Sequence, residues 1–144
     1  MNRVRQGRAV PFARQHAGFA TSFADPADIA RFRACRREGY SEKFCFGRGD
    51  NGIGKWGDDT TADSPMCALP PPEIIRRWKS LDAGRGKRVV VIANSRAVCC
   101  RLADIMPWKP KNGAVIDLNA SAVRAIGLRP PIKVQAIWVW DDDT

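Results

Sequence analysis

Residues 86–107 read GKRVVVIANSRAVCCRLADIMP, and this stretch decides the fold. Arg88 to Ala93 is a β-branched run, Asn94-Ser95-Arg96 carries turn chemistry, and Ala97 to Ala103 continues beyond it, so the segment reads as a hairpin. Downstream, Asp104-Ile105-Met106-Pro107 opens a loop that passes Gly113 into a second apolar strand, Ala114 to Asn119. A short helix follows from about Ala120 to Ile126 and stops at Gly127. Pro130-Pro131 then separates it from a last strand, Ile132 to Trp140, whose apolar residues lie on both faces, as in a strand buried inside a barrel or sandwich.

Upstream, Pro70 to Pro72 end any strand through Cys67-Ala68-Leu69, and Ile74, Ile75 and Trp78 fall at helical spacing within Glu73 to Leu81. Gly47 to Ser64 is a long loop punctuated by five glycines from Gly47 to Gly57, a density that suits tight turns or a backbone held close to a ligand. Its Arg48-Gly49-Asp50 tripeptide is short enough to arise by chance. Glu42 to Gly47 alternates as a strand would. Asp25 with Pro26 behind it starts a helix over Ala27 to Arg37, ended by Gly39. Met1 to about Ala24 shows no strong periodicity and reads as an extended arm.

The residues Gly86 to Val91, Leu102 to Pro107, Gly113, Ile116 to Val123 and Ile126-Gly127-Leu128, in that order, resemble the double-psi β-barrel domains of rare lipoprotein A and the expansins. Gly57 to Ala62 is similar, more loosely, to a glycine and Thr-Ala segment of the same family. The resemblance implies an all-β chain with short helices: a six-stranded double-psi β-barrel over 42–144, behind a basic N-terminal arm with a short helix over 1–41.

In the catalytic members, which resemble lytic transglycosylases acting on peptidoglycan, an Asp in a D-x-x-P loop and a His from an earlier segment flank the substrate groove. Asp104 matches the Asp. A carboxyl beside Ile105, Met106 and Trp108 is suited to a raised pKa and to protonating a glycosidic oxygen, although it can equally accept backbone amides at the crossing loop. Pro65 to Leu69 contains no histidine, and His16 lies elsewhere in the chain, so the sequence leaves activity open. Trp56, Asp59, Thr60, Trp108 and Asp117 are the candidate substrate contacts. Exposed indoles make platforms for sugar rings, and Asp117 can alternatively serve the N–H groups of the helix that follows.

The 144 residues fit one compact domain with an extension. A net charge of +9, with 24 Lys and Arg against 15 Asp and Glu, favours an acidic partner. Much of the excess sits in the first 37 residues, where Arg3, Arg5, Arg8 and Arg14 suit docking onto neighbouring proteins of a virion or other assembly. That is the alternative to a glycan-directed module. Nucleic acid ranks third, because no helix-turn-helix, finger or RNA-binding motif appears. No segment is apolar enough to span a bilayer, and no signal-peptide core is visible, which suggests a virion-associated protein, one released by lysis, or a cytoplasmic one.

The five cysteines include no C-x-x-C pair and lie far from the single histidine in sequence, so neither a metal nor a cofactor is expected. Adjacent Cys99 and Cys100 point to opposite faces of a strand, which leaves one for the core and one able to meet a partner such as Cys67 or Cys45.

Overall fold

A computed structural model describes residues 14–142. The calls on Arg3, Arg5 and Arg8 lie outside those residues. Strands β1 (His16–Ser22), β2 (Met66–Leu69), β3 (Arg88–Ala93), β4 (Arg96–Ile105), β5 (Ala114–Leu118) and β6 (Lys133–Trp140) close a barrel in the order β1-β5-β2-β4-β3-β6. Two neighbouring pairs, β1 with β5 and β2 with β4, run parallel, and the others run antiparallel.

The barrel follows from period-2 patterning. Val89, Val91 and Ala93, then Val98, Cys100 and Leu102, then Ile116 and Leu118, and finally Ala136 and Trp138 all enter one buried cluster. Trp138 is fully buried, stacks its ring on His16 with centroids 3.9 Å apart, and donates from its indole N–H to the Val115 carbonyl. The β3–β4 turn places Asn94 and Ser95 at φ 52° and 58°, the left-handed pair that a two-residue hairpin requires.

The helices sit outside this core. Helix α1 (Pro26–Arg37) is capped by the Asp25 carboxylate, which accepts from the Asp28 amide. Helix α3 (Pro71–Trp78) buries Ile74 in the barrel cluster, α4 (Leu81–Gly84) follows it, and α5 (Ala120–Ala125) starts at Asn119.

Two sequence readings change. The arm contains β1, the strand that joins β5 to β6, so the barrel draws on residues before position 42. Gly18 is essential to that fit, because a Cβ there would meet Val115 Cγ1 at 2.5 Å. Glu42 to Gly47 is not a strand: Glu42–Cys45 forms helix α2, capped by Ser41 and held by a Cys35–Cys45 disulfide to α1. Local capping and a covalent tie decide that segment where no strand neighbour is offered. Cys67 and Cys100 are buried in the barrel, and Cys99 faces outward.

Replacing Cys35 and Cys45 together with serine is expected to lower stability by about 3 kcal/mol, since the bridge closes a loop of 10 residues in sequence separation. Denaturant unfolding of the oxidised protein and the double variant measures it. Equal midpoints would mean that the α1–α2 lobe holds together through Phe32 packing alone.

Candidate functional site

The register places two carboxylates in one row. Ala68 of β2 pairs with Asp104 of β4 on one side and with Asp117 of β5 on the other. Asp117 pairs in turn with Thr21 of β1. Residues in register project from the same face, so Thr21, Asp117, Ala68 and Asp104 form a row across four strands. At about 4.8 Å per strand spacing, the two aspartate backbones stand about 10 Å apart, with only a methyl group between them. The row lies on the barrel's outer face. Cys67 and Leu69 point into the core, whereas Ala68 packs with Phe23, Ala24, Ile29 and Met106 beneath α1.

Each carboxyl has defined partners. Asp104 Oδ1 accepts from the Lys55 amide at 3.0 Å and from the Ile105 amide at 2.8 Å. Burial nevertheless pushes its pKa up to about 6, with a further push from Asp50. Asp117 Oδ1 accepts from Thr21 Oγ1 at 2.7 Å. Burial raises Asp117 to about 6 as well, against the pull of that hydroxyl and with Asp28, Asp50 and Asp104 adding to the rise. Burial also raises Asp50, which accepts from the Gly52 amide. Four carboxylates thus converge on one patch of a strongly basic chain.

The structure separates the other sequence candidates. Trp56 is half-buried against the barrel cluster and donates its indole N–H to Asp82 Oδ1 at 2.9 Å, so it is anchored and not an open platform. Thr60 is only 1% exposed, which keeps its side chain from the surface. Asp59 is exposed, and the Thr61 hydroxyl and amide hold its carboxyl below the ordinary range. Trp108, 60% exposed, is the open indole, four residues beyond Asp104. Asp117 does not cap the following helix; Asn119 does, accepting from the Ala122 amide.

Sequence reasoning missed Thr21, Asp28 and Asp50. Only strand register and the folding of the glycine loop bring them to the row. His16 stacks on Trp138 five residues from Thr21, about 16 Å along the strand at 3.3 Å per residue, and so does not stand in for a histidine at the row.

The loop from Gly47 to Ser64 reaches Asp104 because glycine lets it. A Cβ on Gly54 would lie 2.0 Å from the Ala103 carbonyl oxygen. Gly54→Ala is therefore expected to lift the loop from β4, remove the Lys55 amide from Asp104 and raise the Asp104 pKa further. Carboxyl carbon NMR titration reads that shift. An unchanged Asp104 pKa would show that the loop accommodates a methyl group.

No family model and no curated protein matches this sequence. Solved structures do. The apo expansin of Clavibacter michiganensis superposes with a TM-score of 0.55 at 18% identity, over 90% of this chain and 52% of that one. The fold is the expansin-type double-psi β-barrel. A mutant of the same expansin in complex with cellohexaose matches with the same score, identity and coverage. A Streptomyces papain inhibitor matches at a TM-score of 0.49 and 18% identity, over 91% of this chain and 99% of that one. The chain spans about half the length of the expansin it matches. Among the described residues, no helix is long and apolar enough to cross a membrane, and no cluster of His, Cys, Asp or Glu suits a metal ion.

Proposed function

We propose that this double-psi barrel is a glycan-binding module directed at peptidoglycan or a related wall glycan, with the Asp104–Asp117 row as its working centre. The observation that carries the reading is the pair of carboxyls, both raised to about 6, flanking Ala68 in register. Trp108, the open indole beyond Asp104, offers a face on which a sugar ring can stack. The expansin crystallised with cellohexaose supports the glycan class.

Near pH 6 each carboxyl is divided between its acid and its carboxylate form, so that one carries a proton while the other is ionised in part of the population. That asymmetry supplies an acid and a base without a histidine. Asp104, which accepts two amides through Oδ1, presents its proton to the glycosidic oxygen as the C1–O bond breaks. Asp117 takes the proton of a ring hydroxyl that closes on C1, giving an anhydro-sugar with no water consumed. Thr21 holds Asp117 in place for that step.

The test is incubation of purified peptidoglycan, and of cellulose in parallel, with the natural protein, Asp104→Asn and Asp117→Asn. Pull-down scores binding and mass spectrometry scores products. Binding by the natural protein that falls at least tenfold in either variant is the expected result, and anhydro-sugars lost in both variants would add cleavage to it. No binding to either glycan by the natural protein would end the proposal.

A further inference from the structure

A second feature lies away from the carboxylate row, where β3 and β4 begin and end beside α4. A cavity of about 440 Å³ opens there, lined by Arg85, Lys87, Arg88 and Arg101 together with Pro65 and Cys99. Its size falls in the range of small-ligand sites. Arg88 and Arg101 stand directly opposite one another in the β3–β4 register. Like charges in that position repel unless an anion lies between or beside them.

The protein already answers part of that charge. Asp58 Oδ1 accepts from Arg85 at 3.4 Å and from Arg101 at 3.2 Å. Although burial alone would raise its pKa, those two guanidinium groups hold its carboxyl below the ordinary range. The second oxygen, Oδ2, is buried with no hydrogen-bond partner among the described residues. Asp141 also faces this corner, its carboxylate 4.0 Å from Cys99 Sγ. Lys87 extends its ammonium over the Trp78 ring at 4.5 Å. Among the described residues, Asp58 is thus shared between two of the four basic side chains that line the cavity.

We propose that this cavity is an anion site that takes a phosphate group, free or esterified. Guanidinium forks match the tetrahedral, multiply acceptor-bearing face of phosphate, and Asp58 occupies the forks of Arg85 and Arg101 as a weaker internal substitute. The site is independent of the glycan reading, since none of its residues belongs to the Thr21–Asp104 row.

The test is a two-dimensional amide NMR titration of the full chain at low ionic strength with inorganic phosphate and, separately, dimethyl phosphate. Saturating shifts centred on the amides of Gly86, Lys87, Cys100 and Arg101 are expected. Saturation by dimethyl phosphate assigns the site to esterified phosphate, and saturation by inorganic phosphate alone assigns it to the free ion. Arg85→Gln, at an exposed side chain, should weaken binding by about tenfold, while Asp58→Asn, which releases both guanidinium groups, should tighten it by about tenfold, each equal to about 1.4 kcal/mol. Non-saturating shifts spread over the exposed arginines of α1, or an Asp58→Asn variant that binds no more tightly, would overturn the proposal and leave Asp58 as the corner's own counter-ion.

Discussion

Asn119→Ala is expected to lower the unfolding free energy by at least about 4 kcal/mol, a loss larger than a typical single substitution causes. The Asn119 side chain is completely buried and makes four hydrogen bonds. It accepts from the amides of Met66 and Ala122 and donates to the carbonyls of Thr60 and Ser64, each at 3.0 Å. Alanine leaves two amides and two carbonyls buried without partners, and each orphaned group costs about 1–3 kcal/mol. Those groups belong to the end of the glycine loop, the start of β2 and the first turn of α5, so one side chain joins three segments distant in sequence. For a domain of this size the loss corresponds to a fall in Tm of about 10 °C or more. Asn119→Asp separates the roles: it keeps both acceptances but turns a carboxylate toward the Thr60 and Ser64 carbonyls, and so should be destabilising too. A Tm change under about 1 °C for the alanine variant would mean that water enters and serves all four groups.

Asn119 also shows what the sequence makes legible. An Asn before Ala-Ser-Ala-Val is readable as the start of a helix, and that part of its role comes from local chemistry. Its three long-range bonds, 53, 55 and 59 residues away in sequence, do not. The same division runs through the molecule. The β3–β4 hairpin, β5, α5 and β6 are readable because strong alternation and turn residues agree with the final structure. Strand β1 is not, because His16-Ala17-Gly18-Phe19-Ala20 carries small residues where the sheet needs close approach, and small residues give a weak apolar signal. At the candidate site, Asp104 and Asp117 stand out by motif and neighbours. Thr21 enters only through register with β5, and Asp50 only through the fold of the glycine loop. Trp56 misleads for the opposite reason: a large aromatic in a polar loop suggests a platform, while the structure spends it on packing and on Asp82.

Asp117→Asn is expected to make the protein more stable at pH 7 while weakening the glycan binding proposed above. In the folded chain Asp104 and Asp117 hold their protons to about pH 6, against an ordinary value of 3.8 in the unfolded chain. Between about pH 4 and 6 the unfolded chain has released those protons and the native state still binds them. Stability therefore falls as pH rises through that window, opposite to the behaviour of a salt-bridged carboxylate. A rise of about two units corresponds to at most about 3 kcal/mol for each group by pH 7, and the two do not sum fully because Asp104 is among the groups that raise Asp117. Asparagine keeps an acceptor for Thr21 Oγ1 but carries no charge, so the variant should gain several degrees in Tm at pH 7 and nothing at pH 4. Asp58 and Asp59, whose pKa values are lowered, contribute the opposite slope and lose stability only as pH falls through and below about 4. Calorimetry across pH 4 to 8 on the natural protein, Asp117→Asn and the Asp104→Asn, Asp117→Asn double variant resolves the terms. If Asp117 served only to receive the Thr21 hydroxyl, its replacement would lower Tm or leave it unchanged at every pH. A gain confined to neutral pH, together with lost glycan binding, would show that the fold holds these carboxylates at a cost in stability, as expected of groups retained for their chemistry.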